Sequence, residues 1–422
     1  MDFKVIVREQ REELESMERS EGFVEREGLE HAEKFLQHPN ILVVTGVRRC
    51  GKSVYSYLLV KGKKTGYVNF DDERLAGLRS EDLNRLLESF YELYGEVEYV
   101  ILDEVQNVEN WQLFANRLRR TKKVILTGSN STLLSGELST HLTGRYIDIR
   151  LYPFSFREFL KKKGFALQNT YTTKEKASLL LLLREYLEIG GFPEAQKFGK
   201  AIVARIYDDI ITKDILLRHK ITKTEELKKF ARYLVTNASQ ETTYSSLARA
   251  VGIKHIATAS KWAGYLEDAF LINRVEKFDY KLKQQYISPK KVYCADTGII
   301  TSIGFSFSEN IGRIMENAVF LELSRRKTPE NAPDIYYWKD ASQKEVDFAI
   351  KTGKKITQLI QVTYANDREE IKERENKSLI KGSDALRCDN LLVITWDYAG
   401  EETMDGKKIK YEPMWKWLLE KG

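Results

Sequence analysis

The sequence is poor in the residues that bind structural zinc. Its 422 residues include only three cysteines and five histidines, namely Cys50, Cys294, Cys388, His31, His38, His141, His219 and His255. No two cysteines form a C-x-x-C pair and the histidines are scattered, so we predict no structural zinc site. Reduced thiols are typical of a cytoplasmic protein.

Long hydrophobic runs are also missing. The longest aliphatic run is 179–183, far below the roughly 20 apolar residues that span a bilayer. The first ten residues lack the pattern of a signal peptide. We therefore predict a cytoplasmic protein with no membrane partner.

The composition is that of a folded chain with several domains. Hydrophobic residues make up 42% and charged residues 31% of the sequence, and the length suits about two to four domains. The 68 basic and 62 acidic residues leave a net charge of +6. Such a mildly basic surface permits contact with nucleic acid without requiring it.

The order of apolar runs predicts an α/β core followed by three further segments. Short β-rich runs alternate with helical stretches in the first third of the chain, which is typical of a parallel sheet covered by helices. These runs are 41–46, 66–70, 99–104, 123–129 and 146–151. We predict an α/β core with an N-terminal helical segment at 1–152, a helical lid or connector at 153–222, a winged helix at 223–290 and a mixed α/β domain at 291–422.

The clearest motif is a P-loop, G-x-x-x-x-G-K-S, placed between an apolar strand and a helix. Its backbone N–H groups would surround phosphates, the Lys52 ammonium would neutralise the β and γ oxygens, and the Ser53 hydroxyl would ligate Mg²⁺. The predicted ATP-binding residues are Gly46, Val47, Arg48, Arg49, Cys50, Gly51, Lys52, Ser53 and Val54.

Two acids end a later apolar strand, where a parallel sheet would deliver them beside the P-loop. We predict that Asp103 holds Mg²⁺ through water and that Glu104 polarises the attacking water as the general base. An acid directly after the magnesium-linked aspartate favours hydrolysis of ATP over transfer of its phosphoryl group.

Two further positions complete the predicted catalytic set. The next strand ends near Asn130, which we favour as the polar sensor of the γ-phosphate, with Ser129 as the alternative. Arg145 is the candidate arginine finger or sensor, in competition with Arg119 and Arg120. The sequence leaves open whether Arg145 acts on its own nucleotide, on that of a neighbouring subunit, or in a structural ion pair.

These motifs together resemble the prokaryotic AAA-like ATPases in which a P-loop core precedes a winged helix and a C-terminal domain of restriction-endonuclease-like fold. The resemblance covers nearly the whole chain and is carried by GVRRCGKS, YVILDEVQ, TGSNSTLLSGELSTHLTGRY, LYPFSFREFL, GGFPEA, VYCADTGI, MENAVFLEL and EVDF. It implies ATP and Mg²⁺ as ligands and a core sheet with the catalytic-glutamate strand insertion typical of AAA-like enzymes.

The endonuclease-like part of the resemblance implies a metal site, and the chain departs from its pattern. Glu316 and Asp347 match the helix and strand acids, but Gln361 and Thr363 replace the following acid and lysine. We therefore predict a degenerate nuclease site at Glu316, Asp347 and Gln361. The lysines that could reach this site from elsewhere in the sequence are Lys344, Lys351 and Lys355.

The function predicted from these features is ATP hydrolysis that moves the winged helix and the C-terminal domain. The predicted partner is DNA or a protein, and a homo-oligomer is left open. An ATP-gated nuclease and a non-hydrolysing, ATP-bound interaction protein are the alternatives. Candidate nucleic-acid contacts of the winged helix are Lys254, His255, Lys261, Lys281, Lys283, Lys290 and Lys291, with Trp262 and Tyr265 available to stack or pack.

Overall fold

The structure is a computed structural model that describes residues 2–131, 133, 142–304, 310–328 and 330–420. The chain divides into two compact units, Met1–Pro153 with Asp268–Phe270, and Phe154–Glu267 with Leu271–Gly422. The first unit contains the predicted ATPase core. The predicted connector, winged helix and C-terminal domain lie together in the second unit and not in three separate ones.

The first unit is built on a five-stranded sheet in the order β2-β3-β4-β1-β5, in which every pairing is parallel. Its central strands are apolar and buried, as expected where helices cover a parallel sheet. The predicted parallel core is therefore confirmed. The strands are β1 (Ile41–Thr45), β2 (Thr65–Asn69), β3 (Tyr99–Asp103), β4 (Lys123–Gly128) and β5 (Tyr146–Arg150).

The helices of the first unit cover this sheet with apolar faces. In α4, for example, Leu83, Leu86 and Phe90 recur at helical spacing and are fully buried in the core. The described helices are α1 (Phe3–Glu21), α2 (Leu29–Phe35), α3 (Lys52–Leu59), α4 (Leu83–Tyr94) and α5 (Trp111–Leu118), with short 3₁₀ turns at Glu73–Leu75, Ser80–Asp82 and Val105–Asn107.

The N-terminal helix is attached to the end of β2 by a buried amide. Gln10 donates from Nε2 to the carbonyl of Asn69 at 3.0 Å, and its Oε1 accepts the Asn69 N–H at 2.9 Å. Both backbone groups of Asn69 are thereby satisfied by one side chain. The charge-rich segment before β1, to which the sequence assigned no role, is part of the core.

The second unit is built on a mixed nine-stranded sheet in the order β13-β14-β12-β11-β10-β9-β7-β8-β6. Strand β7 pairs in parallel with β9, so one sheet runs through the predicted boundary between winged helix and C-terminal domain. The strands are β6 (Gln240–Thr242), β7 (Ile272–Lys277), β8 (Lys290–Cys294), β9 (Asp334–Lys339), β10 (Glu345–Thr352), β11 (Lys355–Val362), β12 (Leu391–Thr395), β13 (Gly400–Met404) and β14 (Lys407–Pro413).

The second unit begins with several helices, in the segment for which the sequence predicted a helical connector. Helix α9 continues into a π-helical segment, Ile210–Leu217. The described helices are α6 (Phe156–Lys162), α7 (Thr173–Ile189), α8 (Ala195–Phe198), α9 (Lys200–Asp209), α10 (Thr224–Thr236), α11 (Tyr244–Val251), α12 (Ile256–Asp268), α13 (Leu282–Ile287), α14 (Thr297–Ile303), α15 (Ile311–Arg325), α16 (Glu373–Leu386) and α17 (Met414–Leu419).

The segment from α10 to β8 has the element order of a winged helix. Strand β8 pairs antiparallel with both β6 and β7, and α10, α11 and α12 precede β7. Thr243 caps α11 and Gly252 ends it in the left-handed conformation, as the turn of a helix-turn-helix requires. Helix α13 lies between β7 and β8, where the sequence pattern predicted no helix.

A buried aspartate joins GGFPEA and VYCADTGI, two of the motifs that carry the family resemblance. Asp296 accepts the N–H of Gly191 on Oδ2 at 2.7 Å and the N–H of Gly298 on Oδ1 at 2.8 Å. Gly190 has φ 78°, and a Cβ there would lie 1.7 Å from Oδ1 of Asp296. The two motifs therefore form one structural junction that requires glycine.

The described part of the chain gives no membrane-spanning candidate. None of its helices combines the length and the apolar character that crossing a bilayer requires.

Candidate functional site

The predicted P-loop connects β1 to α3, and its two glycines have conformations that other residues would strain. Gly46 has φ 152°, and a Cβ there would lie 2.1 Å from the carbonyl oxygen of Leu151. Gly51 has φ 99° and precedes the first residue of α3. Because both turns are tight, the backbone N–H groups and the start of α3 converge at the carboxyl edge of the sheet.

Buried hydrogen bonds attach the P-loop to the residues that follow β5. The Cys50 thiol is completely buried and donates to the carbonyl of Leu151 at 3.5 Å, and burial raises the pKa of this thiol. Arg26 donates to the carbonyl of Cys50 at 3.0 Å and to that of Tyr152 at 2.7 Å. Arg26 thereby joins the P-loop to the end of β5. No short motif marks this arginine in the sequence.

The Lys52 ammonium lies in the mouth of the loop. It donates to the carbonyl oxygens of Gly46 and Val47 at 3.3 and 3.4 Å and forms an ion pair with Oε1 of Glu104 at 3.4 Å. Lys52 is only 5% exposed. The sequence-predicted phosphate-binding lysine and general base are thus brought together in one buried site.

Asp103 ends β3 and is fully buried. Tyr67 donates its hydroxyl to Oδ2 at 2.9 Å, Thr127 donates to Oδ1, and Ser53 also hydrogen bonds to this carboxylate. Burial, and then the charge of Glu104, raise the pKa of Asp103 against these hydrogen bonds. The two predicted magnesium ligands, Ser53 and Asp103, therefore adjoin each other.

Glu104 is held in an uncommon backbone conformation directly after β3. Its φ and ψ are 51° and 45°, in the left-handed region, and its N–H is accepted by the Thr127 hydroxyl at 2.9 Å. Gln106 donates to Oε2, and the Ser129 N–H lies 3.3 Å from the same oxygen. Such strain, supported by surrounding contacts, is typical of functional positions.

The charge state of Glu104 follows from its neighbours. Burial alone would raise the pKa of this carboxyl, but the Lys52 ammonium, the Gln106 amide and the Arg48 guanidinium together lower the pKa below its ordinary value. Glu104 is therefore ionised at neutral pH. A carboxylate can accept a proton from water, which a general base must do.

The sensor candidates follow β4, which lies between β3 and β1 in the sheet. Ser129 and Asn130 are both completely buried. The position of β4 places them between the P-loop strand and the strand of Asp103. The sensor role of Asn130 remains a prediction.

Arg145 lies at the amino-terminal ends of the strands, whereas the P-loop lies at their carboxyl-terminal ends. It directly precedes β5, and the register pairs Ile41, the first residue of β1, with Tyr146. Five residues of extended strand, about 16 Å, therefore separate its level from that of the loop. Arg145 approaches Asn116 at 3.4 Å, beside Arg119, whose pKa is lowered by burial and by the charges of Arg145 and Arg120.

Four residues of this site were missed by sequence reasoning: Thr127, Tyr67, Gln106 and Arg26. Thr127 lies just before the predicted sensor position in TGSN, so its location at a strand end was a usable signal. Tyr67 reaches Asp103 because β2 and β3 pair in register. The other two contacts depend on loop conformation.

The carboxylates of the predicted nuclease-like site meet in the second unit, around a lysine that the sequence had placed in the wing. The Lys291 ammonium lies 2.9 Å from Oε1 of Glu316, 3.1 Å from Oδ1 of Asp347 and 2.6 Å from Oε1 of Glu345. Lys291 is 2% exposed. Lys291 is therefore the lysine that contacts all three acids, and Lys339 contacts Glu345 as well. Of the predicted lysines, Lys351 instead pairs with Asp334 at 3.0 Å, and Lys355 is exposed.

One predicted nucleic-acid contact of the winged-helix segment, Lys291, is wrong because its side chain is buried, and a second, Lys290, is partly exposed and has an acidic partner. Lys291 is buried among the acids, and Lys290 pairs with Glu276 at 2.5 Å. The two aromatic residues pack: Trp262 lies edge-on to Phe230, and Tyr265 stacks on His219. Lys254, His255, Lys261, Lys281 and Lys283 are exposed.

Metal coordination by protein groups alone is not indicated. Within the described ranges, no group of three or more histidine, cysteine, aspartate or glutamate side chains is arranged to hold a metal ion. The carboxylates at 316, 345 and 347 surround an ammonium group, as described above.

Comparison with known families agrees with this architecture. A family model described as an AAA domain matches residues 38–160, which include the P-loop, Asp103, Glu104 and Asn130. Two models of domains of unknown function, DUF8612 and DUF4143, match residues 180–309 and 311–413. The fold and the site thus define an AAA-type P-loop nucleotide-binding protein.

Full-length relatives identify the family. The chain is 37% identical over 401 residues to the uncharacterized protein MJ1544 of Methanocaldococcus jannaschii, covering 90% of this chain and 89% of that protein. It is 30% identical over 423 residues to an uncharacterized protein of Haemophilus influenzae, covering 95% and 100%. The chain belongs to this prokaryotic family of AAA-domain proteins with a C-terminal DUF4143 domain.

Solved structures with some similarity include two proteins in complex with DNA. The replication initiator DnaA bound to AMPPCP and single-stranded DNA has 20% identity and a TM-score of 0.27, covering 58% of this chain and 90% of that chain. The Aeropyrum pernix ORC1 protein in complex with DNA has 13% identity and a TM-score of 0.31, covering 65% and 90%. With TM-scores this low, neither similarity carries a property to this chain.

Proposed function

We propose that the chain hydrolyses ATP in a magnesium-dependent reaction at the P-loop. The observation that carries this proposal is the ionised Glu104 carboxylate, held beside Lys52 and Asp103 by hydrogen bonds from the Gln106 side chain and the Ser129 N–H. A protein that only stored ATP would have no need for a positioned base.

The residues present fit ATP and Mg²⁺. Gly46 lies so close to the Leu151 carbonyl that no side chain fits there, and its backbone can follow the tight turn of a phosphate-binding loop. The Lys52 ammonium provides a positive charge for phosphate oxygens. Ser53 and Asp103 offer the hard oxygen donors that Mg²⁺ prefers. Bound Mg²⁺ would supply positive charge to the phosphate oxygens.

Each residue then has a distinct task. Glu104 orients a water and accepts its proton, while Thr127 fixes the backbone of Glu104 and the carboxylate of Asp103. Lys52 binds the phosphates, and Asn130 contacts the γ-phosphate from the end of β4. Preorganised groups of this kind stabilise developing charge without reorganising during the reaction.

Arg145 suggests that the active form is a homo-oligomer. Arg145 lies about 16 Å from the level of the P-loop along the strand, and this distance favours a role at the nucleotide of a neighbouring subunit over a role at its own. We therefore assign Arg145 as an arginine finger acting between subunits.

The partner that we propose first is DNA, bound by the winged helix of the second unit. The exposed basic residues Lys254, His255 and Lys261 surround α12, and Lys281 and Lys283 lie at α13. Nucleotide state would change how these groups are presented to DNA, with movement of the winged helix and C-terminal domain. A protein partner is the alternative that the same assay separates.

The test is ATP hydrolysis with Mg²⁺ by wild type and Lys52→Ala, at several protein concentrations, with and without single-stranded or double-stranded DNA. Turnover that is lost in Lys52→Ala and stimulated by DNA would support the whole proposal. Turnover unaffected by DNA would point to a protein partner. Absence of turnover under all these conditions would favour an ATP-holding interaction protein.

A matched pair of variants tests the DNA surface. Lys281→Ala/Lys283→Ala should remove the stimulation by DNA and leave basal turnover intact. Lys354→Ala/Lys355→Ala removes two exposed lysines from the β10–β11 turn and should change neither. Stimulation should also fall steeply with salt, because binding to phosphates releases counterions.

A further inference from the structure

The carboxyl cluster of the second unit consists of three acids around one buried ammonium group. Its acids come from α15 (Glu316) and β10 (Glu345 and Asp347), and each lies within 3.1 Å of the Lys291 ammonium. Lys291 comes from β8. The distances of 2.6 to 3.1 Å are those of charge-assisted hydrogen bonds and are longer than bonds from oxygen to Mg²⁺. Three acids around one buried cation nevertheless supply the type and number of charged oxygen donors that a divalent ion uses.

The remaining atoms of the cluster hold the acids in place. Tyr293 donates its hydroxyl to Oε1 of Glu316 at 2.7 Å, and the Val362 N–H donates to Oδ2 of Asp347 at 2.9 Å. Lys339 pairs with the other oxygen of Glu345 at 3.2 Å. The carboxylates are therefore fixed by groups other than Lys291 as well, which is a condition for keeping their arrangement without it.

A second observation points to a ligand at the same place. Phe348 pairs with Ile360 across β10 and β11, so the neighbouring pair, Asp347 and Gln361, shares the face that carries the cluster. Gln361 is 9% exposed, and in the described part of the chain no group hydrogen bonds to its Oε1. A buried amide oxygen without a donor is costly, and a cation is a partner that would satisfy it.

The electrostatics show how strongly the cluster depends on a cation. Burial, and then the charge of Asp347, raise the pKa of Glu316 to about 8, and burial raises the pKa of Asp347. The surrounding carboxylates raise the pKa of Lys291 well above its ordinary value, against its burial. Glu345 differs from the other two acids, because Lys291 and Lys339 lower the pKa of its carboxyl although burial opposes them. The ammonium is therefore permanently charged, whereas burial opposes ionisation of Glu316 and Asp347.

We propose that Glu316, Asp347 and Glu345 form a divalent-cation site whose place is taken by the Lys291 ammonium, so that wild type is closed to metal and loss of this lysine opens the site. An ammonium at the centre of the acids would repel a divalent ion and fill its space. Gln361 Oε1 would then be a further ligand in the lysine-free variant. This inference is independent of ATP turnover, because all its residues lie in the second unit.

The position of Lys291 also affects whether these acids can support cleavage of nucleic acid. A nuclease site of this kind uses its metal to activate water, with a lysine that stabilises charge beside the metal and does not replace it. With Lys291 among all three acids, wild type is expected to cleave neither DNA nor RNA in the presence of Mg²⁺ or Mn²⁺. The chain thus differs from the nuclease pattern in two ways: Gln361 and Thr363 replace an acid and a lysine, and the acids bind an ammonium instead of a metal ion.

The experiment measures binding of MnCl2 to the nucleotide-free full chain by calorimetry and by the Mn²⁺ electron paramagnetic resonance signal. We expect Lys291→Ala to gain one site that binds at least about a hundredfold tighter than any site in wild type, equivalent to about 2.7 kcal/mol. Lys291→Ala/Asp347→Asn should lose this site. The double variant thereby distinguishes the cluster from the P-loop.

Lys291→Met, which keeps most of the buried volume without the charge, covers the case in which the alanine variant does not fold. A variant that folds only with MnCl2 present would support the proposal too, since the metal would have replaced the ammonium. Three results would overturn it: wild type binding Mn²⁺ through Asp347, folded variants gaining no site, or failure of both variants to fold with MnCl2.

Discussion

The hydroxyl of Thr127 accepts the backbone N–H of Glu104 at 2.9 Å while donating to the carboxylate of Asp103. One side chain on β4 therefore fixes both acids at the end of β3. Because Glu104 has a left-handed backbone, losing this contact would let it relax towards a more common conformation.

Thr127→Val is expected to lower the rate of ATP hydrolysis by about tenfold or more, since about 1.4 kcal/mol of lost positioning corresponds to that factor. Nucleotide affinity should change little, because the P-loop contacts remain. Thr127→Ser keeps the hydroxyl and should retain most of the rate. Steady-state kinetics and binding of a fluorescent ATP analogue check both, and equal rates for the valine variant and wild type would refute the role of Thr127.

Glu104→Gln tests the general base. It should retain ATP binding and lose about 10²–10⁴-fold in turnover, because an amide cannot accept a proton. Glu109→Gln, at an exposed acid of the same loop region, is the control and should turn over normally. Unchanged hydrolysis by Glu104→Gln would show that another group is the base.

The pH dependence of turnover follows from the same carboxyl. Lys52, Gln106 and Arg48 lower the pKa of Glu104 despite its burial, so the base stays ionised as pH falls below the ordinary range for glutamate. The pKa of the free enzyme appears in the kcat/KM profile, whose acid limb should therefore lie below that range. An acid limb well above it would mean that Glu104 is protonated in the free enzyme.

Arg145 can be tested by mixing two inactive chains. Lys52→Ala lacks a working nucleotide site but keeps Arg145, whereas Arg145→Ala keeps the site and lacks the finger. If the finger acts between subunits, each chain alone should be inactive and their mixture should recover activity as the ratio of the two is varied. Arg145→Ala with full activity alone would instead leave Arg145 with only its contact to Asn116.

The sequence was a good guide wherever a motif and its strand are contiguous. The P-loop, Asp103, Glu104 and the sensor loop each follow an apolar run, and parallel pairing then brings the ends of β1, β3 and β4 to one edge. The same rule explains the limit for Arg145. It begins a strand instead of ending one, and so lies at the other edge.

Contacts between distant segments were beyond this kind of prediction. Lys291 looks like one of several wing lysines, because nothing near it in sequence shows that β8 lies beside α15 and β10. The helix α13 interrupts what resembled a simple hairpin, and Arg26 reaches the P-loop from a segment without a motif. Each of these depends on tertiary packing, which a local pattern does not encode.

Gly190 offers a direct test of the junction in the second unit. Gly190→Ala should destabilise the unit by more than about 3 kcal/mol, because a Cβ would lie 1.7 Å from Asp296 Oδ1 in addition to the backbone strain. Gly164 has a similar φ of 70°, with no atom within 4 Å of its Cβ position. Gly164→Ala should therefore cost only about 1–2 kcal/mol, and denaturant unfolding that gives equal losses would exclude a clash.

Asp296 should make the stability of the second unit depend on pH. Burial raises the pKa of this carboxyl from 3.8 to about 7, against the N–H groups of Gly191 and Gly298 and the charge of Arg325. Between these values the folded state binds more protons than the unfolded state, so its stability falls as pH rises and levels off above the folded pKa, by of the order of a few kcal/mol.

Asp296→Asn removes the titrating group, although it also loses an acceptor and should be less stable at every pH. The expected result lies in the slope: unfolding free energy should fall less between pH 4 and pH 7 in Asp296→Asn than in wild type. Asp405→Asn, at an exposed aspartate of the same unit, should keep the wild-type slope.

Because Glu316 is buried with a raised pKa as well, some dependence on pH will remain in every variant, and only the difference between the two aspartate variants measures Asp296. Identical slopes would mean that Asp296 is ionised in the folded chain throughout this range, stabilised by Arg325 and the two glycine N–H groups more strongly than burial opposes it.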